Sequence, residues 1–311
     1  MTMSRLKLFF SLTLLTSVPF FTISCLEKTS TSFNFTNAQK YYQIETFSKN
    51  PFDDLNNSQS EYAKNVAKFL DEKYKWTEKD KQKFKNDVLP NSEFFAIVPA
   101  KIENWTDGDT VQINPLKTDL LPKSFSVRLE SIDTPEIGSF VGGKYRKTVG
   151  LEKKYADQAK QFAEKILPKN TKILFVFTKP KPAQSYSRLV GNIYFGHDNF
   201  YKNYNVEVIK AGLAVPTLQL GLAGVTNKTA IYHYSSIKQA AALENSINHK
   251  FGIYQELQGA EFISITNVLD MVYKTRGITN IADFLVLETN RDKNVFDYYE
   301  FYLKQNYGKA N

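Results

Sequence analysis

The sequence predicts an α+β domain: a small barrel of short strands with helices packed outside it and further helices at both ends. Three observations predict it. Between Phe94 and Ile132 the stretches FFAIVPAKIEN, TVQI and FSVRLESI alternate or run apolar in pieces too short for helices. A single helix-period segment then interrupts, from about Glu152 to Leu167. Two more strand-like runs follow, Lys172–Phe177 and Arg188–Phe195, before helical spacing returns for the rest of the chain. Strands, one inserted helix, more strands and then helices is the order of a barrel whose helices cover its outside.

Taken from the start, residues 1–24 carry Arg5 and Lys7, no acidic residue, and the apolar run Leu8 to Ile23 broken by Pro19. That run is too short to span a bilayer and reads as a signal peptide. Thr22-Ile23-Ser24 before Cys25 is similar to a bacterial lipobox, so Cys25 is the expected lipidation site, on the outer face of the cell membrane. Residues 25–57 are rich in Ser, Thr, Asn and Gln, as suits a linker. Over 58–92, Ser58 and Glu61 form a capping box, and Tyr62, Val66, Phe69, Leu70 and Tyr74 keep helical spacing. This segment is a helical lead-in.

The core, residues 93–256, opens with the strand runs, joined at Asp107-Gly108-Asp109 by a turn. In the inserted helix Tyr155, Ala159, Phe162, Ala163 and Ile166 share one face, and Pro168 closes it. Val206, Ile209 and Leu213 mark a short helix ending near Gly212, and a longer one runs through Tyr234–Ile247. Residues 257–311 form a helical extension with two similar cap-like starts, Asn267-Val-Leu-Asp270 and Asn280-Ile-Ala-Asp283.

Composition narrows the chemistry. The 311 residues hold 40 Lys+Arg against 32 Asp+Glu, a formal charge of +8, with one Cys and three His. One cysteine excludes an intrachain disulfide framework and a thiolate zinc cluster. A basic balance favours a polyanionic partner, though weakly by itself. Four short pieces carry more: Asp107-Gly-Asp109-Thr110, Arg128-Leu-Glu-Ser-Ile-Asp133, Asp133-Thr134-Pro135-Glu136, and Tyr186-Ser187-Arg188. Each alone reads equally as a turn or an exposed strand face. Together they hold a chemical set. Asp109, Asp133 and a Thr134 carbonyl would give a cation hard oxygen ligands, which suits Ca²⁺ or Mg²⁺. Glu136 would stand one water away as a base, and Arg128 and Arg188 offer planar forks for phosphate oxygens.

In their order these pieces resemble the staphylococcal nuclease (thermonuclease) family, together with Lys154-Tyr155 to Phe162, Tyr186-Ser187-Arg188-Leu189, Ala211-Gly212-Leu213-Ala214 and Phe251-Gly252-Ile253-Tyr254. The resemblance covers about Phe94 to Gln255. It implies a five-stranded OB-fold barrel with packed helices and a Ca²⁺ cofactor held by Asp109, Asp133 and Thr134. It further implies Arg128, Glu136 and Arg188 as catalytic residues, cleavage that leaves 3′-phosphate ends, and DNA, with RNA second, as substrate. Tyr186 matches a nucleotide-contacting tyrosine. Two later tyrosines of the family are replaced by Leu218 and Leu220, and Ser187 stands where the family has Gly. The glycine-rich segment Ile137 to Gly150 reads as a long loop whose Lys144, Arg146 and Lys147 would grip the strand. A membrane-tethered nuclease is thus the expectation. The alternative is a polyanion-binding surface lipoprotein, an adhesin or uptake module, which would bind nucleic acid without cutting it.

Overall fold

The computed structural model describes residues 94–307 apart from 118–120, 198–199, 220, 260 and 278–279. The signal segment 1–24, Cys25, the linker 25–57 and the lead-in 58–92 lie outside the described residues. Five strands close into a ring. The long β1 (Phe95–Trp105) pairs antiparallel with β2 (Thr110–Pro115) on one side and with β7 (Lys172–Thr178) on the other. β2 continues to β3 (Phe125–Leu129), and β3 runs parallel to β9 (Arg188–His197), which pairs back onto β7. This is an OB-fold barrel. Alternation does the sorting: Ile102, Val111, Ile113, Val127, Leu129, Phe175 and Ile193 are buried in its core. The β1–β2 register shifts between Ile102 and Asn104, which bends β1 so that one strand can serve two neighbours.

Helix α1 (Gly150–Ile166) buries Tyr155, Ala156, Ala159 and Ala163 and lies directly on the turn between β1 and β2. A Cβ added at Gly108 would stand 2.7 Å from Ala159 Cβ and 2.8 Å from Thr134 Cγ2, so only glycine lets helix and turn approach this closely. Helix α2 (Tyr204–Lys210) is capped by Asn203, whose side chain accepts from the Asn205 N–H at 2.9 Å. Tyr204 then donates its hydroxyl to the Gly108 carbonyl at 3.1 Å, fixing the same turn from beneath.

Beyond α2 the chain crosses itself at two glycines. Gly212 (φ +69°) and Gly252 (φ +52°) pack backbone to backbone, and a Cβ on either would overlap the other's segment. The Ile253 N–H donates to the Gly212 carbonyl at 2.8 Å across this crossing. Helix α3 (Tyr232–Asn248) begins two residues earlier than its periodicity suggests and is buried on nearly all sides. The reason is the tail. Helices α4 (Phe262–Val272) and α5 (Val295–Tyr307) follow, and Ile265, Leu269, Phe284, Val295 and Phe296 join one apolar core with the barrel.

Two local expectations are corrected. Asn267 lies inside α4 and caps nothing, because Phe262, Ile265, Leu269 and Val272 carry the helical period across it from Glu261 onward. Asn280 does initiate a turn, accepting from the Ala282 N–H at 2.9 Å. The glycine-rich segment is no irregular loop but a β-hairpin, β5 (Gly138–Val141) with β6 (Lys144–Lys147). Gly142 and Gly143, at φ +58° and +77°, supply its two-residue turn. Among the described residues no helix is long and apolar enough to cross a membrane.

Candidate active site

The acidic and basic side chains singled out in the sequence meet at one end of the barrel. Asp109 leaves the turn held by Gly108 and is 1% exposed. Its Oδ2 accepts from the Thr134 N–H at 2.8 Å and from the Thr134 hydroxyl at 3.0 Å. Its Oδ1 accepts from Arg128 and, at 3.2 Å, from Thr110. Arg128 points the other end of its guanidinium at Asp133, so one fork bridges two carboxylates that lie 24 positions apart in the chain. Asp133 is held in turn by β4 (Ile132–Asp133) pairing with β10 (Val215–Pro216). Thr134 thus enters the cluster through its amide and hydroxyl.

Arg188, at the start of β9, donates to the Thr110 hydroxyl at 3.2 Å. It borders two adjoining clefts. One, of about 440 Å³, is lined by Arg128, Asp133, Arg188 and Arg276. The other, of about 570 Å³, is lined by Asp107, Glu136, Phe140, Tyr145, Tyr186 and Arg188. Glu136 is fixed through its backbone: the Thr148 hydroxyl donates to the Glu136 carbonyl at 2.6 Å where the hairpin ends. Lys144 and Arg146 sit on the face of the hairpin opposite Tyr145, outside that cleft, while Lys147 shares the face of Tyr145.

Charge crowding and burial set the protonation of these groups. Asp107 is pushed up to about 7, by burial first and then by the neighbouring Asp109 carboxylate. Burial also raises Glu136, and the Arg276 guanidinium only partly counters it. Burial works against the charge on Arg128, yet Asp109 and Asp133 more than offset this and raise its pKa. No group of three or more His, Cys, Asp or Glu side chains converges as a metal cage among the described residues. The donor chemistry nevertheless fits a hard divalent cation. The Arg128 guanidinium stands between Asp109 and Asp133 and pairs with both carboxylates.

Two contributors escaped sequence reasoning. Arg276 comes from the tail, pairing with Glu136 at 2.9 Å and with Asp133 at 3.2 Å. Its segment is anchored from both sides: Tyr273 donates to the Asp133 carbonyl at 3.0 Å, and Thr275 donates to buried Glu152 at 2.8 Å. Only the Arg276-Gly277 pair, with Gly277 at φ +73°, marks the spot in the sequence, and it reads as a helix stop. Asp107 was legible only as a turn residue. Leu218, in place of a family tyrosine, packs against the core.

Residues 126–244 match the family model described as staphylococcal nuclease homologue. The match begins inside β3, so the barrel's first two strands and the Asp107–Asp109 turn precede it, and Arg276 lies beyond it. An uncharacterized lipoprotein of Mycoplasma pneumoniae is 27% identical over 173 residues, covering 43% of this chain and 56% of that protein. An uncharacterized protein of Methanocaldococcus jannaschii is 30% identical over 123 residues, covering 37% of this chain and 56% of that protein. The chain therefore matches little more than half the length of either relative.

Proposed function

We propose that this chain is a Ca²⁺-dependent nuclease, a reading supported by the match of residues 126–244 to the family model described as staphylococcal nuclease homologue. It hydrolyses phosphodiester bonds of DNA, and of RNA, outside the cell while tethered to the membrane by a lipid on Cys25. The observation that carries this reading is the convergence of Arg128, Arg188 and Glu136 on adjoining clefts, with Asp109 and Asp133 bridged alongside.

In this reading Arg128 and Arg188 bind the non-bridging oxygens of the scissile phosphate and neutralise the charge that grows there during attack. Arg128 must leave the Asp109–Asp133 bridge to do so. Asp109, Asp133 and Thr134 would hold the Ca²⁺, which would supply Lewis-acid polarisation of the phosphate. Glu136 takes the proton of the attacking water, and its raised pKa brings a carboxylate nearer the working pH of a base. Water oxygen bonds to phosphorus as the P–O5′ bond breaks, and the 5′ oxygen leaves with a proton from solvent, giving a 3′-phosphate end.

The test uses the full chain purified in detergent with labelled single- and double-stranded DNA and RNA, in Ca²⁺, Mg²⁺ or chelator. Cleavage is expected with Ca²⁺ and lost with chelator. Glu136→Gln is expected to lower turnover by about 10²–10⁴-fold with little change in binding. A Glu136→Gln enzyme as fast as the parent would remove Glu136 from the mechanism. One observation favours the second reading, a polyanion-binding lipoprotein: Arg128 and Arg276 already occupy the carboxylates. Binding without metal-dependent hydrolysis would select it.

A further inference from the structure

The two clefts that share Arg188 differ in kind. The first is lined by three guanidiniums against a single carboxylate, Asp133, and so suits a phosphate. The second is lined by Phe140, Tyr145 and Tyr186 together with the Asp107 and Glu136 carboxylates. Carboxylates repel a phosphate but accept from the N–H groups of a base edge. Aromatic faces take a flat ring.

The three aromatics are held out of the core. Phe140 is 76% exposed, Tyr145 52% and Tyr186 92%, although residues of this size ordinarily bury most of their surface. Phe140 and Tyr145 stand directly opposite in the β5–β6 register, with ring centroids 5.5 Å apart and edge to face. Gly138 makes room for this pair, since a Cβ there would overlap the Tyr145 ring. Tyr186 adopts φ +57° in the two-residue turn between β8 (Gln184–Ser185) and β9, a conformation costly for a bulky side chain. Strain of this sort, spent on presenting one exposed ring, marks a working surface. Lys147, on the same hairpin face, adds a positive charge for the flanking backbone.

We infer that Phe140, Tyr145 and Tyr186 form a stacking subsite for one unpaired nucleobase next to the scissile phosphate. This rests on the nuclease reading for the identity of the phosphate site. A base reaches such a cleft only when it is free of its duplex partner, so the subsite selects single strands and frayed ends over paired ones.

The experiment measures binding in chelator, so it does not depend on cleavage. The full chain is titrated with a fluorescent single-stranded oligonucleotide, with the same strand carrying abasic positions, and with a strand containing 2-aminopurine. The parent should bind the intact strand about 5- to 100-fold more tightly than the abasic one and quench 2-aminopurine. The Phe140→Ala/Tyr145→Ala double variant should lose that advantage and the quenching while binding the abasic strand like the parent. Tyr145→Phe should keep both. Equal loss on intact and abasic strands, with an unchanged melting temperature, would show that the hairpin grips backbone only and overturn the subsite. A failed cleavage assay alongside intact base-dependent quenching would instead strike the nuclease reading and leave the subsite standing.

Discussion

Removing the Arg276 side chain separates its contribution to the cleft from its contribution to the fold. Its side chain is 41% exposed, and ion pairs so open to water are worth about 0–1 kcal/mol of stability. The segment keeps its other ties in Arg276→Ala, the Thr275–Glu152 and Tyr273–Asp133 hydrogen bonds, so the melting temperature should move by no more than a few degrees. Catalysis should respond more. Arg276 is one of three guanidiniums around the cleft, and a single well-aimed donor to developing charge is worth about 10²–10³-fold in turnover. Its partial exposure argues for a smaller effect than that, about 10- to 100-fold. An opposite effect accompanies this. With Arg276 gone, Asp133 and Glu136 lose a competing cation, so half-saturation by Ca²⁺ should occur at lower concentration. Initial rates on labelled single-stranded DNA across a Ca²⁺ series, with a thermal melt of each variant, read all three quantities. Arg276→Lys, which keeps the charge but not the fork, should fall between. Turnover within twofold of the parent for Arg276→Ala at every Ca²⁺ concentration would refute the reasoning.

Two further outcomes are open to measurement. Asp107 has a folded pKa raised to about 7 from 3.8, so the stability linked to its protonation is present below about pH 4 and lost as pH climbs through 7. Asp107→Asn keeps an oxygen for the Asp109 N–H, 3.1 Å away, and should raise the melting temperature at pH 8 but not at pH 4; an equal gain at both would detach the effect from ionisation. Gly212→Ala sets a Cβ against the Phe251 backbone at φ +69° and should cost several kcal/mol in urea unfolding, well beyond the ~1 kcal/mol of an open left-handed site. Adding Gly252→Ala should cost far less than a second such penalty, because both substitutions break one crossing.

The barrel was legible because its strands announce themselves by local alternation, and Asp109, Asp133, Glu136, Arg128 and Arg188 because short motifs bind chemistry to neighbouring residues. What was hidden depends on long-range packing. Periodicity placed Asn267 at a helix start because an Asn before apolar residues resembles a cap, but the apolar face runs straight through it from Phe262. Four glycines between Ile137 and Gly150 suggested irregular chain, yet two of them serve a tight turn and a third clears space for Tyr145. Nothing local to Arg276 says that it meets Asp133. That pairing depends on two long-range ties, Thr275 to Glu152 on α1 and Tyr273 to the Asp133 carbonyl.

The distance along the chain between those partners has a consequence in time. Arg276 follows Asp133 by 143 residues. At about 5–20 residues per second, a growing chain completes the stretch between them in roughly 7–30 s. The last strand of the ring ends at His197, so the barrel's own strands are all made well before Arg276 exists. Whatever this side chain gives the cleft is absent from the nascent protein and arrives only with the tail. A chain cut short before Thr275 would therefore hold every strand of the ring but lack Arg276 and the tail residues that share its core.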